Sequence, residues 1–270
     1  MTDWLLTNAT PLRFGVFLLM AALLAGAEWR RPFRGVPSRR LRWGRHLLLS
    51  ALGTLLLRFG LPMLAIGFGA IVDQQKIGLL QVYELPRWLA CVLGVLVLDL
   101  AIYAQHRAFH VAPLLWRLHR MHHSDVHLDA SSGIRFHPLE IALSMLIKIG
   151  VVVLFGIPAL AVLVFEILLS ASSLFTHADL RLPPGLESRL RRVLVTPEMH
   201  RIHHSVLRHE TDSNFSNLLS VWDRLFKSYR AAPERDPAKM PIGIETFRDN
   251  ADQRLLPLLV QPFRSPPPSG

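Results

Sequence analysis

The chain has 270 residues, 51% of them hydrophobic, with a mean hydropathy of +0.31 and a formal net charge of +10. That hydropathy lies above the ordinary soluble range, and the lone cysteine, Cys91, excludes an internal disulfide and any cysteine-built metal or iron–sulfur site. The basic excess would suit nucleic acid, but it gathers beside an apolar segment as membrane topology gathers it, which argues against that partner.

In chain order, the first apolar run covers residues 12–27. Its basic cluster follows rather than precedes it, so it reads as a retained anchor and not as a cleaved signal. Arg30, Arg31, Arg34, Arg39, Arg40, Arg42 and Arg45 fill the next loop, and Lys/Arg-rich loops stay cytoplasmic. A second run at 47–72 then exits, and a third at 88–104 returns. The fourth block, 141–175, is too long for one span and is broken by Gly156, Ile157 and Pro158, which predicts a helical hairpin. The expected fold is an all-α integral membrane bundle with about four transmembrane helices, the last two a hairpin, under a cytoplasmic histidine-rich helical cap. Arg58 and Lys148 interrupt the apolar runs and are expected to snorkel or to mark misplaced span boundaries. Residues 1–105 form an anchor region, 106–230 the region that carries chemistry, and 231–270 a cytoplasmic tail whose last ten residues are expected to be disordered.

Of the 13 histidines, all but His46 lie between His106 and His209. His46, at the start of the second run, reads as an interfacial residue. HRAFH sets His106 and His110 at i and i+4, HRMHH sets His119, His122 and His123 at i, i+3 and i+4, and HRIHH repeats that spacing with His200, His203 and His204. On helices these spacings bring imidazoles to one side. One zinc takes four ligands or fewer, so eight such histidines imply two metals. Nitrogen-rich ligation suits iron, zinc, copper or nickel, and few carboxylates lie nearby.

With RFHPLE (135–140), FTHADL (175–180), TPEMHRIHHS (196–205) and ETDSNFSNLLSVWDRLFKSY (210–229), the chain resembles the membrane fatty acid hydroxylase and sterol desaturase superfamily, in its bacterial form. Its members carry HxxxH, HxxHH and HxxHH boxes around a non-haem di-iron centre. The resemblance covers nearly half the chain and implies metal ligation by His106, His110, His119, His122, His123, His200, His203 and His204, with His177 as a further ligand. His137 is implied as a ligand, a supporting group or the initiator of the helix at Pro138, and His127 and His209 as lesser candidates. Asp125, Asp179, Asp212, Asp223 and Asn214 are candidates to orient the imidazoles. The chain departs from the pattern at Ser173, where some relatives have histidine, and at Ser216 and Lys227, where glycine is usual.

The resemblance further implies two iron ions, with zinc a possible occupant after purification, and dioxygen as co-substrate. The implied reaction is hydroxylation or desaturation of an unactivated C–H bond in a sterol or fatty acyl lipid. Electrons would come from a ferredoxin or a b-type cytochrome with its reductase, and no nucleic acid is involved. The implied location is a bacterial inner membrane, with the site at the cytoplasmic face. The residues alone leave open a zinc-holding membrane protein or a metal-dependent hydrolase, since zinc does not cycle redox states.

Overall fold

The computed structural model describes residues 2–83 and 85–265. Among them there are helices and two isolated bridges, Leu194 with Leu219 and Ser205 with Ile242, but no strand. The short α1 (Thr2–Thr7) leads into α2 (Ala9–Arg30), α3 (Arg39–Gly60), α4 (Ala65–Gln75), α5 (Leu79–Val82) and α6 (Arg87–Val111). After α7 (Pro113–His123) come α8 (Pro138–Phe155), α9 (Ala159–His177), α10 (Pro184–Leu190), α11 (Pro197–His203), α12 (Arg208–Thr211), α13 (Val221–Leu225) and α14 (Leu255–Val260).

Helices α2, α6, α8 and α9 are each long and apolar enough to span a bilayer. At 1.5 Å per residue the shortest, α8 with 18 residues, is about 27 Å long, close to the hydrocarbon thickness. Helix α9 is central, contacting α2, α4, α6 and the 3-10 turn Ala130–Ile134, and half of its apolar window is buried against 17% for α2. The outer helices keep large apolar side chains such as Phe14, Leu19 and Leu23 exposed, as a lipid-facing surface requires. Leu98, Val152, Ile157, Val162 and Phe165 form the main core between α6, α8 and α9.

The hairpin break falls where the sequence places it. Gly156 caps α8 in the left-handed region at φ 69°, and Pro158 is the N-cap of α9. The tip is tied to the α4–α5 segment, since Asp73 Oδ2 accepts from the Ala159 N–H at 3.0 Å and Gln81 Nε2 donates to the Gly156 carbonyl at 3.0 Å. Gly78, at φ 93°, lies so close that a Cβ there would meet Gly156 N at 2.2 Å.

The second run is not one helix. It divides into α3 and α4, which with α5 form a pair bent by about 40°. Pro62 lacks an N–H and drives Leu61 to extended backbone at φ −123° and ψ 130°, ending α3. The bent pair still traverses the bundle. Its start, Arg42, bonds Asp125 and Asp129 at the histidine end, whereas α4 and α5 reach the hairpin tip at the other end.

The interrupting charges separate. Arg58 is exposed in the last turn of α3, but Lys148 is buried and donates to Glu166 Oε1 at 2.8 Å, while Arg13 pairs with Glu166 Oε2 at 3.0 Å. An intramembrane charge is costly unless paired, and here partner helices supply the pair. His46 is likewise buried, its Nδ1 2.7 Å from Ser131 Oγ, and is not interfacial. The expected disordered end is partly corrected. Residues 261–263 form a 3-10 turn against α7, held because Arg120 donates to the Gln261 carbonyl at 2.6 Å and Arg117 to that of Pro262 at 2.6 Å. The remainder of that tail, 266–270, lies outside the described residues.

Candidate metal centre

Three local features aim the histidine boxes at one another. Ala112 is extended and Pro113 occupies the first turn of α7, so the chain turns between HRAFH at the end of α6 and HRMHH at the end of α7. Thr196 caps α11, its Oγ1 accepting from the Met199 N–H at 3.3 Å, and Pro197 follows at the first helical position. Finally, α9 ends at His177, returned by the hairpin to the end where α6 ends.

The nine histidines fall into two groups whose ligand atoms lie within 4.8 Å of one another: His106, His110, His119, His123 and His203, and His122, His177, His200 and His204. Each HxxHH helix serves both groups. In α7 the i and i+4 pair, His119 and His123, joins the first group and His122 the second; His200 of α11 and His204, its C-cap, join the second and His203 the first. Helical geometry explains the division, since i+4 returns to within about 40° of i while i+3 and i+4 point about 100° apart. The groups adjoin, with the His123 and His204 rings stacked at a centroid distance of 4.5 Å.

The Nε2 atoms converge. His110 and His123 bring theirs to 3.1 Å, His106 and His203 to 3.0 Å, and His177 lies 3.1 Å from both His122 and His200. The opposite nitrogens are held. Nδ1 of His106 donates to the Phe215 carbonyl at 2.6 Å, of His122 to Arg135 at 3.1 Å, of His177 to Ser173 at 2.7 Å and of His203 to Ser213 at 2.7 Å. Carboxylates hold two more, Glu140 Oε1 on His119 Nδ1 at 2.6 Å and Asp212 Oδ1 on His110 Nδ1 at 3.2 Å. Such outer bonds fix the tautomer that leaves Nε2 free for a metal.

Burial, reinforced by neighbouring imidazoles, holds His122, His123, His200 and His204 well below the ordinary imidazole value, and burial takes His203 to about 3 despite its bond to Ser213. They are neutral at physiological pH, the form that binds metal. His119 Nε2 is buried without any hydrogen-bond partner among the described residues. Because the Nδ1 atoms of His106 and His203, and of His122 and His177, all donate outward, each of these pairs brings two Nε2 lone pairs face to face, which fits a cation in each group.

Other candidates are placed elsewhere. His137 caps α8, its Nδ1 accepting from the Leu139 N–H at 3.2 Å and its Nε2 donating to the Leu259 carbonyl at 3.0 Å, so neither nitrogen remains for a metal. His127 and His209 belong to neither group; His209 pairs with Glu234. Asp125 touches no ligand imidazole but takes both arms of Arg42 at 2.6 and 2.8 Å, which holds its carboxyl well below the usual range although burial opposes this. Asp179 accepts the Arg34 and Gly35 N–H groups, and Asp223 those of Phe215 and Ser216. Asn214, in the left-handed region at φ 53°, donates to the Met199 and Arg230 carbonyls and pins the loop that offers the Ser213 and Phe215 carbonyls. The group missed in the sequence is Glu140, which at the third position of a proline-started helix reads as ordinary first-turn acid.

A cavity of about 240 Å³ opens beside the histidines between α6, α8 and α9. His106 and His119 of one group and His122, His177 and His200 of the other line it, together with apolar Ile102, Phe109, Phe136, Met145 and Leu169.

A family model for fatty acid hydroxylases matches residues 91–228, from within α6 to just past α13. The chain belongs to the fatty acid hydroxylase family. It is 29% identical over 178 residues to the ornithine lipid hydroxylase OlsE of Rhizobium tropici, covering 66% of this chain and 51% of that protein. It is 29% identical over 160 residues to human alkylglycerol monooxygenase, covering 59% of this chain and 34% of that one. Against the fatty acid hydroxylase vlmA of a Lecanicillium species the figures are 26% over 186 residues, 63% and 50%. The chain thus spans about half or less of the length of these relatives. No solved structure matches it significantly.

Proposed function

We propose that this protein is a membrane-bound, oxygen-dependent lipid hydroxylase or desaturase with two iron ions in its histidine groups. The supporting observation is the pair of groups of five and four convergent imidazoles opening on one apolar cavity. His106, His110, His119, His123 and His203 would hold one ion, and His122, His177, His200 and His204 the other. Bound there, iron supplies the dioxygen reduction and C–H oxidation that no side chain performs unaided.

The chain's own residues supply position and isolation. Phe109, Phe136, Met145 and Leu169 exclude water and give an acyl or sterol segment an apolar wall beside both groups. Carbonyls of Arg135, Ser173, Ser213 and Phe215, with Glu140 and Asp212, keep the imidazoles oriented. Electrons come from a separate carrier of the ferredoxin or b-type cytochrome kind. The site faces the cytoplasm of a bacterial inner membrane, a reading supported by the basic segment that docks at the histidine end through Arg34, Arg39 and Arg42.

The test is metal analysis and oxygen uptake on protein purified from iron-supplied cells. Two irons per chain and reductant-dependent oxygen uptake in the presence of membrane lipid are expected. Two zincs with no such uptake would sink the reading.

A further inference from the structure

Helix α6 carries its own depth scale. Its exposed Trp88 and Arg107 stand about 20 residues apart, the length that crosses a hydrocarbon core, and both are side chains suited to an interface. Asp99 and Tyr103 lie eight and four residues before Arg107, about 12 and 6 Å deeper at 1.5 Å per residue. Both hold the segment around α13. Asp99 Oδ2 accepts from the Leu219 N–H at 3.2 Å and from Trp222 Nε1 at 2.7 Å. The Tyr103 ring stacks on Phe226 at a centroid distance of 5.3 Å, and its hydroxyl bonds Ser228 Oγ at 2.8 Å. The segment therefore descends beside α6 below the level of Arg107, yet Val221, Leu225 and Phe226 stay exposed there, Leu225 by 63%. A strip following α10 joins the same surface. Leu194 bridges Leu219, and the Ser220 N–H donates to the Val193 carbonyl at 2.9 Å, which sets the exposed Val193 beside Val221. Charge is sorted on this surface. Arg189, Arg192, Arg224 and Lys227 are exposed, whereas the two acids of 184–194 and 219–229 turn inward. Glu187 accepts from Thr196 Oγ1 and pairs with Arg191, and Asp223 accepts the Phe215 and Ser216 N–H groups. An apolar ridge with a basic rim and no exposed acid suits the boundary of an anionic leaflet, whereas a soluble protein would have to reach the ridge through hydrocarbon.

We propose that Val193, Val221, Leu225 and Phe226 insert into the lipid leaflet beside α6, and that Arg189, Arg192, Arg224 and Lys227 hold anionic phospholipid headgroups at its edge. The segment that follows the histidine boxes is then a membrane-seated surface in its own right, added to the spanning helices. Its seating fixes how far His106, one residue before Arg107, stands from the headgroups.

The test places a bimane fluorophore on Leu225→Cys in the full chain with Cys91→Ser. The protein is reconstituted in phosphatidylcholine vesicles in which a minority of the lipid, either phosphatidylcholine or phosphatidylglycerol, carries bromine on its acyl chains. Brominated lipid is expected to quench this probe to within about twofold of the same probe on Leu23→Cys, exposed on the spanning helix α2. At low salt, brominated phosphatidylglycerol should quench about threefold more than brominated phosphatidylcholine, because several basic side chains gather anionic lipid around the ridge. That preference should vanish near ~1 M salt, where surface charges are screened within about 3 Å. It should also vanish in Arg189→Gln/Arg192→Gln/Lys227→Gln, which leaves Arg224 and its bond to the Arg191 carbonyl in place. No quenching at Leu225→Cys overturns the insertion, and dimerisation through the labelled face or its protection by an acidic protein would then assign that face to a protein partner. Equal quenching by the two lipids at low salt overturns the choice of an anionic headgroup. Should the triple variant fail to fold, the salt titration of the parent decides, and a preference that salt does not reduce overturns the role of the basic rim.

Discussion

The two histidine groups differ by one imidazole, and that difference has consequences for single substitutions. On the proposed ligation, a site with four ligands would lose a necessary one when His177 is removed, whereas the group of five would keep four when His106 is removed. His177→Ala is therefore expected to lower bound metal to about one ion per chain, and His106→Ala to retain nearly two, by elemental analysis of purified protein; equal losses would contradict the division. His122→Ala and His203→Ala should abolish turnover while leaving membrane insertion intact, since His122 meets His177 and His203 meets His106 within the histidine cluster and not in the helix contacts that build the bundle. Another residue-scale consequence concerns Lys227, which sits at φ 58°, in the left-handed region that favours glycine. A side chain in the left-handed region costs about 1 kcal/mol or more, partly offset by the chain entropy that glycine adds to the unfolded state. Lys227→Gly should thus stabilise the protein by about 0.5 kcal/mol, measured as a raised midpoint of denaturant unfolding in detergent.

At the scale of elements, what could be read from the sequence followed from local rules. The i, i+3, i+4 spacing fixed the inward histidines, and Gly156 with Pro158 fixed the hairpin, because each depends on residues within a turn. Long-range pairing was not legible. Arg42 reads as one more charge in a solvated loop, yet α3 carries it to Asp125 and Asp129, which lie more than eighty residues away and just beyond HRMHH. Continuous hydropathy hid the break at Pro62 in the same way, and Glu140 gave no sign that its partner is His119. The Arg42 contact anchors the loop that leaves α7. Removing one member of a buried ion pair strands the other, so Arg42→Ala is expected to destabilise by about 3–5 kcal/mol. Asp125→Asn combined with Arg42→Ala should recover part of that loss in a double-mutant comparison, and simple additivity would show the pair to be uncoupled.

The whole molecule is constrained by which helix ends meet. His106 and His110 at the end of α6 meet His177 at the end of α9, and Glu28 near the end of α2 accepts from the Asp179 and Ala130 N–H groups. The ends of α2, α6 and α9 and the start of α3 therefore share one face, and the hairpin tip with α4 and α5 lies at the other. A chain that leaves the histidine face at Arg42 and re-enters α6 from the opposite face must cross between them, so the bent pair is a fifth crossing despite its break. Four crossings would leave α6 inverted and its histidines on the wrong side of the bilayer from His177. With Cys91 replaced by serine, single cysteines at the exposed positions Ser38, Lys76 and Arg235 test this with a membrane-impermeant thiol reagent. Ser38→Cys and Arg235→Cys are expected to react from the same side of the membrane and Lys76→Cys from the other. Labelling of Lys76→Cys together with Ser38→Cys would rule out the fifth crossing, and with it the arrangement that brings both histidine groups to one face.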